Sequence, residues 1–180
     1  MKAIISPTIL HPEHFYARTT VKVAKDLLGC QLHRRLPSGI VLNGEITEVE
    51  AYTANDPACH AFRGLTKRTE VMFGPAGRAY VYFIYGMYYC LNVVTEEEHT
   101  PGAVLIRGLN ASSSGKLLNG PGKICKYWQI DKTHNGVNLT DPSSELWISA
   151  RPEKWKNKIN ISTRIGLSQA QDKLWRFYTE

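Results

Sequence analysis

The chain has 180 residues, of which 43% are hydrophobic and 21% are charged, and its net charge is +6 at pH 7. These values predict one globular domain over residues 1–180 with a single core, and they exclude disordered, fibrous and collagen-like chains. No apolar run reaches the roughly 20 residues that a membrane span requires, so no membrane partner is expected.

The opening residues and the cysteines indicate the compartment. One lysine precedes a short apolar run that Pro7 interrupts, which falls short of a secretory signal, so we expect a cytoplasmic protein. The four cysteines lie far apart, without a Cys-x-x-Cys pair. Because zinc ligation needs clustered thiolates or imidazoles, the sequence predicts free thiols in a reducing compartment and no metal.

The first part of the chain predicts a helix followed by two strands. Thr20 is the expected cap of a helix over Val21–Leu28, and Gly29 supplies its left-handed end. Strands are expected over Cys30–Leu36 and Ile40–Tyr52, on either side of a Pro-Ser-Gly turn.

After a polar loop, the chain predicts further strands. Arg78–Ile84 and Met87–Thr95 are rich in Tyr, Val, Phe and Ile and flank Gly86, as the two halves of a hairpin do. Weaker signals follow: a strand over Ala103–Leu109, a helix over Lys123–Ile130, and short strands over Trp147–Ser149 and Ile159–Ile165. Strands that follow one another in hairpins indicate an α+β fold, with a mostly antiparallel sheet.

Two glutamates and a tyrosine share one face of the second strand. Because side chains alternate along a strand, Glu48, Glu50 and Tyr52 point to the same side. Like charges buried together are costly, so at least one carboxylate must be solvated or paired. A carboxylate beside an aromatic ring suits a general base next to a stacking wall. The alternative is an exposed edge strand whose glutamates serve solubility.

Five of the nine tyrosines lie within residues 80–89. A plain sheet core would use Val, Ile and Leu, because each buried phenol needs a hydrogen-bond partner. In a basic chain, aromatic platforms suit base stacking, and a Tyr85-Gly86-Met87 tip suits a wedge that enters a nucleic-acid groove. An aromatic-rich sheet core is the alternative interpretation.

The excess of basic residues indicates a polyanionic partner. Residues 151–180 contain seven basic and three acidic side chains. Neutralised phosphates release counterions, so such a surface suits duplex DNA, and a merely soluble surface is the alternative. The acidic stretch Glu96–Glu98 would be repelled by phosphates, so we expect it to lie away from DNA.

These motifs together resemble one family. The chain resembles the alkyladenine DNA glycosylases (3-methyladenine DNA glycosylases of the mammalian type) in Glu50-Ala-Tyr52, in His60 ten residues later, in YVYFIYGMYYCLN at 80–92 and in VLIRGL at 104–109. The resemblance extends from about His14 through NGPGKICKYWQI at 119–130 to LWRFY near the C-terminus.

The resemblance implies a compact monomer with a curved antiparallel sheet, flanking helices, no cofactor, and a protruding hairpin that enters the minor groove of duplex DNA. Glu50 would activate a water that Arg107 helps to hold. The flipped base would lie among Tyr52, His60 and Tyr82, and Asn92 would stand where the exocyclic amine of normal guanine would clash. The hairpin would place two side chains in the DNA: Tyr85, which fills the gap left by the flipped nucleotide, and Met87 close behind it.

The expected function is a monofunctional DNA N-glycosylase that flips an alkylated purine from duplex DNA and hydrolyses its bond to the sugar. An alkylated purine is cationic and leaves without a proton donor, so one carboxylate suffices where ordinary glycosidases use two. Three alternatives stay open: a lesion-binding protein that lost the chemistry, an enzyme of free nucleosides, and a bifunctional lyase whose amine is Lys67 or Lys123. The preferred lesion, including deaminated hypoxanthine, also stays open.

Overall fold

The fold is that of a computed structural model, in which residues 8, 10–112 and 115–180 are described. The opening stretch, on which the expectation of a cytoplasmic protein rests, lies almost wholly outside these residues. The helices are α1 (Thr20–Leu27) and α2 (Pro121–Tyr127). The strands are β1 (Gln31–Arg35), β2 (Val41–Thr53), β3 (Ala79–Ile84), β4 (Tyr88–Thr95), β5 (Gly102–Ala111), β6 (Lys116–Asn119), β7 (Leu146–Ser149), β8 (Asn160–Ser162) and β9 (Arg176–Tyr178).

All these strands join one sheet. Its main order is β3-β4-β5-β2-β1-β7, with β6 beside β5, and with β9 beside both β2 and β8. Every strand pair in the described residues is antiparallel. Short turns join antiparallel strands directly, so β1 with β2 and β3 with β4 are neighbours in both sequence and space. The predicted α+β fold with a curled antiparallel sheet is confirmed. None of the helices in these ranges is long and apolar enough to cross a membrane.

Strand β2 lies inside the sheet. Its first half pairs with β1, its second half pairs with β9 on the same edge, and β5 runs along the other edge. The exposed-edge interpretation of its glutamates is therefore wrong, because hydrogen-bonded backbone flanks the strand on both sides. A β-bulge between Ile46 and Val49 shifts the register opposite Glu48. Bulges of this kind re-aim side chains, and this one lies directly before Glu50.

Helix α1 begins one residue earlier than predicted, and Gly29 follows it with the expected left-handed φ of 85°. The prediction of Thr20 as the cap is wrong, because Thr20 is the first helical residue. Its N–H and its hydroxyl both donate to Glu96 Oε1, at 2.6 and 2.7 Å. A carboxylate from a distant loop thus caps the helix, where it satisfies a free N–H and faces the positive end of the helix dipole.

The core lies between α1 and the sheet, with a smaller apolar cluster beside it. Helix α1 buries Val23, Ala24 and Leu27 completely. The smaller cluster contains Tyr80 and Met72, with Tyr52 and Tyr82 packed partly buried against it; its other members are Cys59, Ala61, Val71, Phe73, Val94 and Ala103. The candidate site is built on the margin of this second cluster.

The last third of the chain is less regular than predicted. Helix α2 begins two residues before the predicted Lys123–Ile130 and also ends earlier. Only Asn160–Ser162 of the expected Ile159–Ile165 strand forms one. Strands β6 and β9 were not predicted, because three or four residues show too few alternations to mark a strand.

Candidate active site

The second half of β2 brings Glu50 and Tyr52 together. Both point to the same side of the strand, as predicted, and Tyr52 Oη donates to Glu50 Oε2 at 2.8 Å. Glu50 has no exposed surface. Burial of the Tyr52 phenol and the nearby Glu50 carboxylate raise the pKa of Tyr52, so the phenol stays protonated and keeps donating.

The other oxygen of Glu50 has donors from two other elements. The backbone N–H of Ile165 donates to Glu50 Oε1 at 2.8 Å, and Arg107 Nε on β5 forms an ion pair with it at 3.4 Å. A buried carboxylate is tolerable only with such partners, since an unpaired buried charge is expensive. The structure thus brings together Glu50 and Arg107, the two residues that the resemblance assigns to the water, and Ile165 is a partner that sequence reasoning missed.

Glu48 forms the second half of the same network. Its Oε1 accepts from Arg107 Nε at 3.2 Å and from Arg176 Nε, on β9, at 2.6 Å. The two glutamates and two arginines together carry no net charge. This pairing answers the requirement, stated from the sequence, that like charges on one strand face be neutralised.

A small cavity of about 100 Å³ opens beside Tyr52. It brings together His60, Tyr82 and Asn92, which the resemblance assigns to the base pocket, and the other lining residues include Met72, Tyr80, Ala103 and Leu167. The His60 and Tyr82 rings meet edge to face, with centroids 4.5 Å apart. Asn92 lies in the cavity wall and is held there, because its Nδ2 donates to the Tyr80 carbonyl at 3.0 Å.

His60 is fixed by Tyr80 and stays neutral. Its Nδ1 lies 2.9 Å from Tyr80 Oη, within hydrogen-bond distance. Partial burial, reinforced by the positive charge of Arg68, lowers the pKa of His60 from 6.5 to about 4. The Arg68 guanidinium lies 5.3 Å from the centroid of the Tyr82 ring. Neither Tyr80 nor Arg68 was assigned to the site from the sequence.

A larger cavity of about 410 Å³ adjoins the first, with Tyr52, Tyr82 and Leu167 in both linings. Arg107 and Ile165, the partners of Glu50, line this outer cavity, as do Tyr85, Tyr88, Leu105, Pro121 and Lys123. Glu50 itself therefore lies just beneath the shared wall of the two cavities. The segment around Ile165 covers the carboxylate.

The hairpin tip projects beside the outer cavity. Tyr85 and Gly86 have φ values of 53° and 67°, which form a turn whose twist matches the two strands, and Met87 N–H closes it on the Ile84 carbonyl. Tyr85 and Met87 are 77% and 64% exposed. Tyr80 is buried in the core, so the aromatic-core interpretation holds for Tyr80 and is wrong for the tip.

The acidic loop lies away from this tip. Tyr88 and Thr95 are the two ends of β4, and seven residue steps separate them, or about 24 Å along an antiparallel strand. Glu96 follows directly after Thr95 and caps α1. Residues 96–98 therefore follow the end of β4 that is opposite to the hairpin, and the expectation that they lie away from DNA stays a prediction.

Comparison with known proteins places the chain among its relatives. Residues 14–180 match the family model described as methylpurine-DNA glycosylase. A curated relative from Rickettsia felis is 49% identical over 171 residues, which cover 94% of this chain and 92% of the relative. Relatives from Carboxydothermus hydrogenoformans and Ehrlichia chaffeensis are 46% and 47% identical, covering 94% and 95% of this chain and 95% and 93% of their own lengths. All three carry the provisional name of 3-methyladenine DNA glycosylase. The chain belongs to the methylpurine-DNA glycosylase family.

Proposed function

We propose that this protein is a monofunctional DNA N-glycosylase that flips an alkylated purine from duplex DNA and hydrolyses its bond to the sugar, leaving an abasic site. The observation that carries this proposal is a fully buried carboxylate, Glu50, beneath the wall between an aromatic cavity and an open one. The inner cavity suits a planar base, and the outer cavity suits the sugar and phosphates attached to it.

In the proposed reaction, Glu50 acts as the general base. A water in the outer cavity attacks the sugar carbon, its proton passes to Glu50, and the electrons of the breaking bond leave with the purine. Alkylation makes the purine cationic, so it departs as a neutral molecule and needs no acid catalyst. Arg107 stabilises the ionised carboxylate and orients the water, because its guanidinium lines the outer cavity and pairs with Glu50.

The inner cavity supplies the selectivity in this proposal. Tyr52, His60 and Tyr82 surround the base, and a cationic purine is attracted to electron-rich phenol faces. Because His60 is neutral, it does not repel such a base. Asn92, held by Tyr80, stands against the exocyclic amine of normal guanine. A neutral deaminated purine such as hypoxanthine lacks that amine and fits the same cavity.

The proposed DNA-binding surface continues from the hairpin onto α2 and β6. Tyr85 enters the stack from the minor groove and Met87 follows it. Beyond the tip, a continuous surface carries three exposed lysines, Lys116, Lys123 and Lys126, together with the exposed Leu117 and Tyr127. Lysines in this position suit the phosphates that flank the flipped nucleotide.

The structural features favour this proposal over two of its three rivals. A binding protein that had lost the chemistry would not need Glu50 and its three donors. A nucleoside-cleaving enzyme would need neither the exposed Tyr85 tip nor the adjacent lysines. The third rival, a bifunctional lyase, would need an amine at the sugar. Lys123 lines the outer cavity, and its Nζ donates to Asn119 Oδ1 at 2.8 Å, whereas Lys67 lies on an exposed loop. Lys123 is therefore the amine that an experiment must test.

The decisive experiment is Glu50→Gln, assayed by single-turnover cleavage of duplexes that contain 3-methyladenine, 7-methylguanine or hypoxanthine. The amide keeps the shape but cannot take the proton, and a positioned general base contributes about 10²–10⁴ in rate. Affinity for an abasic-site analogue should stay within a few-fold. Glu45→Gln on the same strand is the matched control, because Glu45 accepts from Trp155 and an amide oxygen still can. If Glu50→Gln keeps more than about a tenth of the rate, Glu50 is not the base.

Borohydride trapping separates the monofunctional mechanism from the lyase. A Schiff base on Lys123 would be reduced to a stable protein–DNA adduct. We expect no adduct, and strand breaks only after alkali. An adduct that Lys123→Gln removes would replace the monofunctional proposal with the bifunctional one.

A further inference from the structure

Asp56 and Arg164 form a second buried ion pair beside the Glu50 network. Arg164 Nη1 donates to Asp56 Oδ2, and Nη2 donates to Asp56 Oδ1 at 3.0 Å. Both side chains are without exposed surface. Lys173 Nζ lies 3.8 Å from Asp56 Oδ1 at the edge of the pair. A forked arginine–carboxylate contact of this kind is strong and geometrically exacting, and removing one partner leaves an unpaired buried charge.

The pair joins the two chain segments that meet at Glu50. Asp56 lies in the turn that ends β2, four residues after Tyr52. Arg164 directly precedes Ile165, whose N–H donates to Glu50 Oε1 at 2.8 Å. Arg164 Nη1 also donates, at 2.9 Å, to the carbonyl of Ala51, the residue between Glu50 and Tyr52. One guanidinium thereby fixes the covering segment to the strand that carries the carboxylate.

Arg164 also supports Tyr52 from behind. Its guanidinium carbon lies 4.6 Å from the centroid of the Tyr52 ring and 5.4 Å from that of Trp175. Tyr52 lines both cavities, whereas Arg164 has no exposed surface, so the guanidinium packs on the side of the ring away from them. This contact restrains the phenol that donates to Glu50 Oε2.

We propose that the Asp56–Arg164 ion pair positions the general base: it holds the Ile165 N–H and the Tyr52 phenol on the two oxygens of Glu50. Asp56 and Arg164 are positioning residues, because neither lines a cavity where substrate would lie. The inference rests on the proposed function of Glu50 and adds the device that holds its hydrogen-bond donors in place.

The consequence appears in the pH profile. Hydrogen bonds to a carboxylate favour its charged form, so a carboxylate that loses donors is protonated more readily. Four titratable or charged groups face Glu50 from the strands around it: Tyr52 on β2, Arg107 on β5, Cys90 on β4 and Arg176 on β9. Two more lie next to these groups: Glu48 shares Arg107, and Arg164 packs behind Tyr52. Asp56→Asn replaces none of these side chains. It removes the negative charge that pairs with Arg164, and so weakens the anchor of Ile165.

The first test compares Asp56→Asn and Arg164→Lys with the wild type in single-turnover cleavage between about pH 5 and 9. We expect the acid limb of the rate–pH profile to move to higher pH by about one unit in Asp56→Asn. At pH values below that limb, the cleavage rate of this variant should then be about tenfold lower than that of the wild type. Arg164→Lys keeps the charge but loses the fork, so it should shift the limb less. The matched control is Arg34→Lys. Arg34 is a buried arginine on β1, away from Glu50, and it pairs with Glu145 at 3.0 Å. The control variant should lower thermal stability and leave the limb unmoved.

A second measurement is independent of activity. Amide hydrogen exchange at Ile165, followed by NMR, should be at least about tenfold faster in Asp56→Asn than in the wild type. The Val94 amide, which donates to the Arg78 carbonyl at 2.8 Å, is the internal reference. If Asp56→Asn does not fold, Arg164→Lys carries both tests.

The outcomes separate the two proposals. Unchanged Ile165 exchange together with an unmoved acid limb overturns the positioning role, even if the variants are less stable. If the wild type cleaves no lesion, the proposed function fails, whereas Ile165 exchange still reports on the ion pair. A wild type that cleaves, with variants that lose stability alone, contradicts only this inference.

Discussion

Glu48 and Glu50 stand two residues apart on one strand, and their neighbours give them different chemistry. Glu48 is held by two guanidiniums, those of Arg107 and Arg176. Glu50 shares Arg107 at longer distance and accepts its shorter hydrogen bonds from a phenol and a backbone N–H. Glu48 is occupied by two guanidiniums, whereas two partners of Glu50, Tyr52 and Ile165, line the outer cavity, so Glu50 is the candidate general base.

His60 provides a prediction at the same scale. Its pKa is lowered to about 4, so the folded protein binds the His60 proton only well below the ordinary value of 6.5. NMR titration should therefore give a midpoint near 4. Between these two values the unfolded chain binds the proton first, so the contribution of His60 to folding stability declines as pH falls through that window.

Arg68→Gln tests the cause of the His60 shift. Burial is the larger cause and the Arg68 charge the smaller one, so the midpoint should rise toward 6.5 without reaching it. A wild-type midpoint near 6.5 would show that the ring is charged at mildly acidic pH. His60 would then repel a cationic base.

At the scale of elements, the β3–β4 hairpin carries one tyrosine at its exposed tip and another in a cavity wall, so variants of the two can test base flipping and bond cleavage separately. Tyr85→Ala should lower the flipped population about 5- to 150-fold, because it removes about 1–3 kcal/mol of stacking from the exposed tip. Tyr82→Ala should act differently, since Tyr82 lines the inner cavity, in which we propose that the flipped base lies. Fluorescence of a flipped reporter base, read beside single-turnover cleavage, distinguishes the two. Normal flipping with lost cleavage in Tyr85→Ala would make Tyr85 a pocket residue.

Helix α1 depends on a residue from another element. Glu96→Ala removes the acceptor for the Thr20 N–H and the negative charge at the helix start. We expect a loss of about 1–2 kcal/mol in the free energy of unfolding, or about 2–8 °C in Tm. Glu97→Ala in the same loop is the control, because Glu97 is exposed and its neighbour holds the cap. Equal Tm values for the two variants in thermal unfolding would refute the capping role.

At the scale of the whole molecule, the net charge is +6, but some of the basic side chains behind it are already ion-paired within the protein. In the basic C-terminal region, Arg164 and Arg176 are ion-paired within the protein, to Asp56 and Glu48. These two of the seven basic residues therefore serve as internal ion-pair partners. Two groups of exposed lysines remain as candidates for DNA contact: residues 154, 156 and 158, and residues 116, 123 and 126 beside the hairpin.

Salt dependence distinguishes the two groups. Affinity for undamaged duplex should fall steeply with salt, and each lysine that contacts a phosphate contributes about 0.9 to the logarithmic slope. Replacing residues 116, 123 and 126 with Gln should flatten the slope more than replacing residues 154, 156 and 158, because the first group adjoins the hairpin surface. A larger effect from the second group would move the DNA to that side. Salt-independent affinity would remove duplex DNA as the partner.

The sequence by itself determined the features that depend on near neighbours. Alternation over Ile40–Tyr52 predicted a strand with Glu50 and Tyr52 on one side, and Gly86 between aromatic runs predicted the hairpin. The alternation of side chains along a strand and the residue preferences of turns act within a few residues, so they can be recognised in the sequence alone. The order of motifs identified the family and four of the residues that line the inner cavity, Tyr52, His60, Tyr82 and Asn92.

Only the tertiary structure decided which distant groups meet. Thr20 and Glu96 are 76 positions apart, Asp56 and Arg164 are 108 apart, and Glu50 and Ile165 are 115 apart. No local pattern relates such residues, since their contact depends on how the sheet brings the C-terminal segment over β2. Glu50 could therefore be named as the candidate general base from the sequence, whereas its burial and its hydrogen-bond donors follow from long-range packing.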